Sequence, residues 1–89
     1  MTLNQMKYFC TAARAQSITK AAQELYVSQP TLTKQLHRIE NELGTEIVYR
    51  HNRGVVFTPE GEYLAEQAKR IMDVINETKA RISVMIENK

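Results

Sequence analysis

Eighty-nine residues with a formal net charge of +2 suffice for one modest domain, burying about 60–65% of the surface its unfolded chain exposes. A single cysteine excludes an intramolecular disulfide, and no run of about 18 apolar residues offers a membrane span. The opening "MTLNQMKYFC" has no apolar run behind a basic start, so no signal peptide is legible and a reducing, cytoplasmic setting is expected.

Charge is unevenly placed along the chain. Residues 1–38 carry five bases against Glu24 alone, whereas residues 39–89 carry seven bases against nine acids. A basic amino-terminal half permits a polyanionic partner without requiring one.

The first predicted helix runs from about Asn4, as N-cap, to about Ala15, with Met6, Phe9, Cys10 and Ala13 spaced as one buried face. On that spacing Cys10 belongs to the core and is not a reactive thiol. Ser17 caps a second helix with apolar positions Ile18, Ala21, Ala22 and Leu25, and its two alanines allow another helix to cross closely. After a break at "YV", Ser28 caps a third helix. Pro30 falls in its first turn, where an amide has no intrahelical acceptor to lose. Leu32, Leu36, Ile39 and Leu43 form the apolar stripe, and Gly44 stands where a left-handed residue ends the helix.

From Thr45 the pattern changes to two short β-prone runs, 47–50 and 55–58, around the turn-like "HNRG". A two-stranded ribbon is marginal alone, so it should rest on the helices. Thr58 caps and Pro59 opens a last helix reaching almost to Lys89, about 45 Å long and more than so small a domain can cover. Two helices joined by a tight turn, followed by a hairpin, form a winged helix-turn-helix.

The outward side of the third helix is chemically distinctive. With the stripe's centre at zero and about 100° per residue, Lys34 lies almost opposite, flanked by Pro30 and His37, with Thr33 and Arg38 further round. Ser28 and Gln29 sit at the amino-terminal tip. Residues 28–38 contain no acid; Glu40 and Glu42 bring negative charge back. Glutamine pairs with an adenine edge, lysine reaches guanine O6 and N7, and threonine meets an edge or a thymine methyl. The helix N-terminus also presents free amides to phosphate. Arg50 and Arg53, flanking the wing tip, are placed to embrace a phosphate or enter a minor groove.

In the last helix Leu64, Ala68, Ile71, Ile75, Thr78, Ile82 and Met85 repeat at alternating steps of four and three, a coiled-coil spacing. The first two turns are expected to pack on the first helix, and the part beyond about Met72 on a partner. Such a dimer would present two recognition helices to half-sites about one DNA turn, ~34 Å, apart or a multiple of it.

No catalytic constellation is visible. His37 and His51 share no metal-ligand spacing with Cys10, the glycines form no phosphate loop, and Ser17 and Ser28 have a structural use as caps. Glu60, Glu62 and Glu66 suit the positive end of the last helix. No enzyme activity, cofactor or metal is therefore expected. The competing reading is a protein-interaction module that uses the heptad helix to bind a different protein.

The stretch "MKYFCTAARAQSITKAAQELYVSQPTLTKQLHRIENELGTEIVYRHNRGVVFTPEG" resembles the amino-terminal domain of the LysR-type transcriptional regulators. Its densest part is "SITKAAQELYVSQPTLTKQLHRIENELG", and "RGVVFTPEG" is similar to the family's wing and its entry to a linker helix. The resemblance implies a mainly α fold: three helices plus a two-stranded wing over residues 1–58, then a linker helix over 59–89 that pairs antiparallel with a second copy. The helix-turn-helix would span about 18–37 and the wing about 45–58. It implies double-stranded DNA as the partner, with the third helix in the major groove and the wing at the minor groove. Gln29, Pro30, Thr33 and Lys34 would read bases, Ser28, Thr31 and Arg38 would position the backbone, and Arg50 and Arg53 would serve the wing. The family often has Ser and Arg in place of Thr33 and Lys34, and lysine lacks arginine's flat fork. Tyr26 stands where many helix-turn-helix proteins have glycine. Family members continue into a ligand-sensing domain, so this chain is expected to be a DNA-binding fragment without the inducer site, acting at the bacterial nucleoid.

Overall fold

The computed structural model describes residues 1–49 and 54–89. Four helices follow in order: α1 (Leu3–Ala15), α2 (Ile18–Leu25), α3 (Gln29–Leu43) and α4 (Pro59–Glu87). Their boundaries follow from local chemistry. Ser17 accepts from the Lys20 amide at 3.1 Å, Ser28 from the Thr31 amide at 3.2 Å, and Thr58 from the Gly61 amide at 3.0 Å, each satisfying a donor the first helical turn leaves open. For α1 the cap is Thr2, not Asn4. Thr2 and Gln5 form a reciprocal capping box, both bonds 3.0 Å, which places Asn4 inside the first turn.

Three helices end on left-handed residues. Gly44 (φ 74°) takes that conformation freely, while Gln16 (φ 52°) and Tyr26 (φ 57°) do so with a side chain. Tyr26 ends α2 with its amide bonded back to Gln23, and the Val27 amide reaches Ala22, which tightens the turn into α3. Here a tyrosine holds the turn that glycine often holds.

The core is built around Phe9, Leu32, Leu36, Ile39 and Ile47, all fully buried. Each such side chain contributes about 1.5–3 kcal/mol on leaving water. Ala12, Ala21 and Ala22 are buried among them, and α1 lies at the centre, packing on α2, α3 and α4. Of the apolar faces expected from the spacing, Cys10, Ala13, Ile18 and Leu25 are only half-buried and Leu43 is exposed. Leu43, at the end of the α3 stripe, is exposed because α3 projects past its neighbours. Cys10 is half-buried at the core's edge, and Thr11 is buried instead, its hydroxyl bonded to the Lys7 carbonyl at 2.8 Å.

Between α3 and α4 the chain leaves along 44–49 and returns along 54–58. Among the described residues these limbs meet at one antiparallel bridge, Val48 with Phe57, where two full strands were expected. The Tyr49 amide also bonds the Val56 carbonyl at 2.9 Å. Pairing this brief is stable because side chains, more than the ladder, hold the wing down. Ile47, Val48 and Val55 are buried, and Phe57 meets Phe9 edge-on with centroids 5.3 Å apart. The result is a winged helix-turn-helix continued by a long helix, 53 Å along its greatest dimension.

Helix α4 divides into two parts by burial. Gly61, Leu64 and Ala68 are buried against the domain, Met72 and Ile75 are half-buried, and every residue from Asn76 onward is exposed. Leu64 and Ala68 are thus buried against their own domain, α4 packing on α1. Of the other positions with the heptad spacing, Ile71, Thr78, Ile82 and Met85 are exposed and Ile75 is half-buried.

Candidate nucleic-acid interface

Ser28 and Pro30 set the start of α3, and the buried stripe Leu32, Leu36 and Ile39 sets its rotation. Rotation decides which side chains face out. Ser28, Gln29, Pro30, Thr31, Lys34, His37 and Arg38 are exposed, and Thr33 is half-buried. Gln29, Pro30, Thr33, Lys34 and His37 line one shallow, open depression along the helix. Helix α4 does not cover this face, since it packs on α1 from the other direction.

The electrostatics follow from what is missing nearby. Among the described residues the ion pairs are the amino terminus with Glu42, Arg14 with Glu24, and Lys69 with Asp73. Lys34, His37 and Arg38 take part in none of them, and all three are exposed. At the helix tip the Ser28 hydroxyl accepts from the Thr31 amide and donates to Thr31 Oγ1 at 2.8 Å. This pair is held by the cap itself.

The tertiary structure assembles Gln29, Pro30, Thr33, Lys34 and His37 on one surface, with Ser28, Thr31 and Arg38 at its margins. Arg50 and Arg53 lie outside the described residues. Sequence reasoning missed Glu40. It had marked only the return of negative charge, yet its carboxylate accepts from the Ile47 and Val48 amides at 2.8 and 3.4 Å, binding the wing's root to α3. A signal was available: Glu40 lies about 70° from the centre of the apolar stripe, where a carboxylate needs partners.

Among the described residues no helix is long and apolar enough to cross a membrane, and no cluster of three metal-ligating side chains occurs.

Known proteins share this arrangement. The chain is 38% identical over 80 residues to the HTH-type transcriptional regulator GltR of Bacillus subtilis (strain 168), covering 90% of this chain and 27% of that protein. It thus spans about a quarter of the length of such relatives, which are named as transcriptional regulators. A crystal structure of BenM_DBD with catB site 1 DNA superposes with a TM-score of 0.89 at 32% identity, over 96% of both chains. The CbnR_DBD–DNA complex gives 0.83 at 34% identity, over 96% of this chain and 98% of that one. Residues 3–62 match the family described as bacterial regulatory helix-turn-helix protein, lysR family. With the fold, the turn and the length of the match in agreement, the chain belongs to the lysR family of bacterial regulatory helix-turn-helix proteins.

Proposed function

We propose that this chain binds double-stranded DNA sequence-specifically to regulate bacterial transcription, as a homodimer on a pseudo-palindromic operator in the cytoplasm, at the nucleoid. One observation carries the reading: the acid-free amino-terminal half of α3 exposes Gln29 and Lys34 beside the half-buried Thr33, and among the described residues no ion pair engages Lys34. A solvated helix face ordinarily interleaves acids with bases; a face that meets phosphate cannot. The solved DNA complexes of similar chains support the same reading.

Each side chain takes a role from its chemistry. Gln29, Thr33 and Lys34 read base edges, with Pro30 packed beside them, while Ser28, Thr31, His37 and Arg38 hold phosphates. Arg50 and Arg53 serve the wing at the minor groove. Residues 1–58 supply the winged helix-turn-helix and 59–89 the linker helix, whose exposed apolar half pairs with a second copy.

The test is duplex binding as a function of salt. For a dimer making 6–10 phosphate contacts, affinity for duplex should fall roughly 10³-fold or more between about 50 and 200 mM salt, through counterion release. A chain that ignores both heparin and random-sequence duplex at low salt would instead be a protein-interaction module.

A further inference from the structure

Glu40 bonds more of the wing's root than any position read from sequence. Its backbone carbonyl accepts from the Gly44 and Thr45 amides at 2.8 and 3.3 Å, ending α3. Its side-chain Oε2 accepts from the Ile47 and Val48 amides at 2.8 and 3.4 Å. Four amides in a five-residue stretch thus converge on one residue of the recognition helix. The returning limb is held to the end of α1 and to the outgoing limb itself: the Val55 amide bonds the Gln16 carbonyl at 3.3 Å, and Thr58 donates to the Ile47 and Glu46 carbonyls at 3.2 and 2.8 Å. The outgoing limb is therefore the one whose position is referred directly to α3.

We infer that Glu40 is a positioning residue for DNA binding, fixing the wing relative to α3 so that groove and backbone contacts engage one duplex together. This rests on the DNA-binding reading above. A carboxylate suits the role because bonds from amides to an ionised acceptor are about twice as strong as neutral ones. It also sits on a helix whose rotation is set by the buried stripe Leu32, Leu36 and Ile39, beside which it lies. No group of Glu40 needs to touch DNA. Its effect passes through where Ile47 and Val48 lie.

The experiment compares the parent with Glu40→Ala, which removes the acceptor, and Glu40→Gln, which keeps an acceptor oxygen at the same reach. Amide hydrogen exchange is measured at Ile47 and Val48 and, as internal references, at Phe9 and Leu36. Affinity for a random-sequence duplex is measured across a salt series, and base preference by selection from a random pool. In Glu40→Ala the two wing amides should exchange about ten- to a hundredfold faster, with the references unchanged. Its duplex affinity should fall about tenfold, the salt slope should decrease by one or more, and the bases preferred by α3 should stay the same. Glu40→Gln should recover most of both effects.

Unchanged wing exchange in Glu40→Ala overturns the inference. So does an equal acceleration at all four amides, which marks a general stability role. Freed wing amides with parental affinity and salt slope overturn the positioning role alone. A parent that binds no duplex overturns the DNA-binding reading and this role together.

Discussion

Gly61 shows how one position is decided by a neighbour far away in sequence. A methyl group added there would sit 1.9 Å from the Ile47 carbonyl oxygen, because the first turn of α4 crosses directly over the wing's root. In an ordinary helix interior, replacing glycine by alanine gains about 0.5–1 kcal/mol. Here the sign reverses, since backbone atoms must separate. Gly61→Ala should cost about 1–3 kcal/mol or more, and thermal melting should fall by roughly 4–8 °C per kcal/mol. An unchanged or higher melting temperature would mean that the first turn of α4 does not pack directly on the Ile47 backbone. Tyr26 is the complementary case: 95% exposed and left-handed, it gives up a conformational preference without gaining core contacts. What fixes its backbone is the pair of bonds back to α2, because the buried Leu32 and Ala22 require α2 and α3 to meet at that angle.

At the scale of elements, α3 does two things on opposite sides. Its stripe supplies three of the largest core contributions, and its other side carries Gln29, Lys34, His37 and Arg38, all exposed. Lys34 lies nearly opposite the stripe, so removing its side chain leaves the core untouched. Lys34→Ala should therefore weaken duplex binding by about 1–3 kcal/mol while leaving melting unchanged, and should relax preference at one base position. Identical selected sequences for the variant and the parent would remove Lys34 from the reading set. Helix α4 is divided along its length instead of across it. Its first third is core, and its remainder is an exposed helix with Ile82, Val84, Met85 and Ile86 at least half accessible.

At the scale of the whole molecule, that exposed remainder is what makes the shape elongated, 53 × 25 × 18 Å. A lone helix in water bearing this many apolar side chains is a poor end state, since a heptad stripe gains stability only when another stripe covers it. The proposed homodimer would pair through Ile71, Ile75, Ile82 and Met85 and hold two recognition helices at a defined separation. Ile75→Asp with Ile82→Asp should give a monomer by analytical sedimentation, with the helix-turn-helix still folded because neither residue is in its core. A dimer of parental stability would place the interface elsewhere. The monomer should also lose far more affinity for a two-half-site operator than for a single half-site.

Much of this protein was determined by sequence alone, wherever the cause is local. Ser17, Ser28 and Thr58 cap their helices, and Gly44 ends α3, because caps depend on residues within one turn. The stripe of α3 and the outward face around Gln29 and Lys34 follow from helical periodicity, which is likewise local. The cap of α1 shows the limit even there: Asn4 was expected, and the reciprocal Thr2–Gln5 pair caps the helix two residues earlier. Tertiary structure decided the rest. Phe57 of the wing rests on Phe9, Gly61 must lack a side chain because Ile47 lies beneath it, and Glu40 is an anchor because two amides turn toward it. Leu64 and Ala68 share the heptad spacing of Ile75 and Ile82, yet they face α1 instead of solvent. A repeat records which side of a helix is apolar; what covers that side depends on elements distant in the chain, and packing alone assigns them.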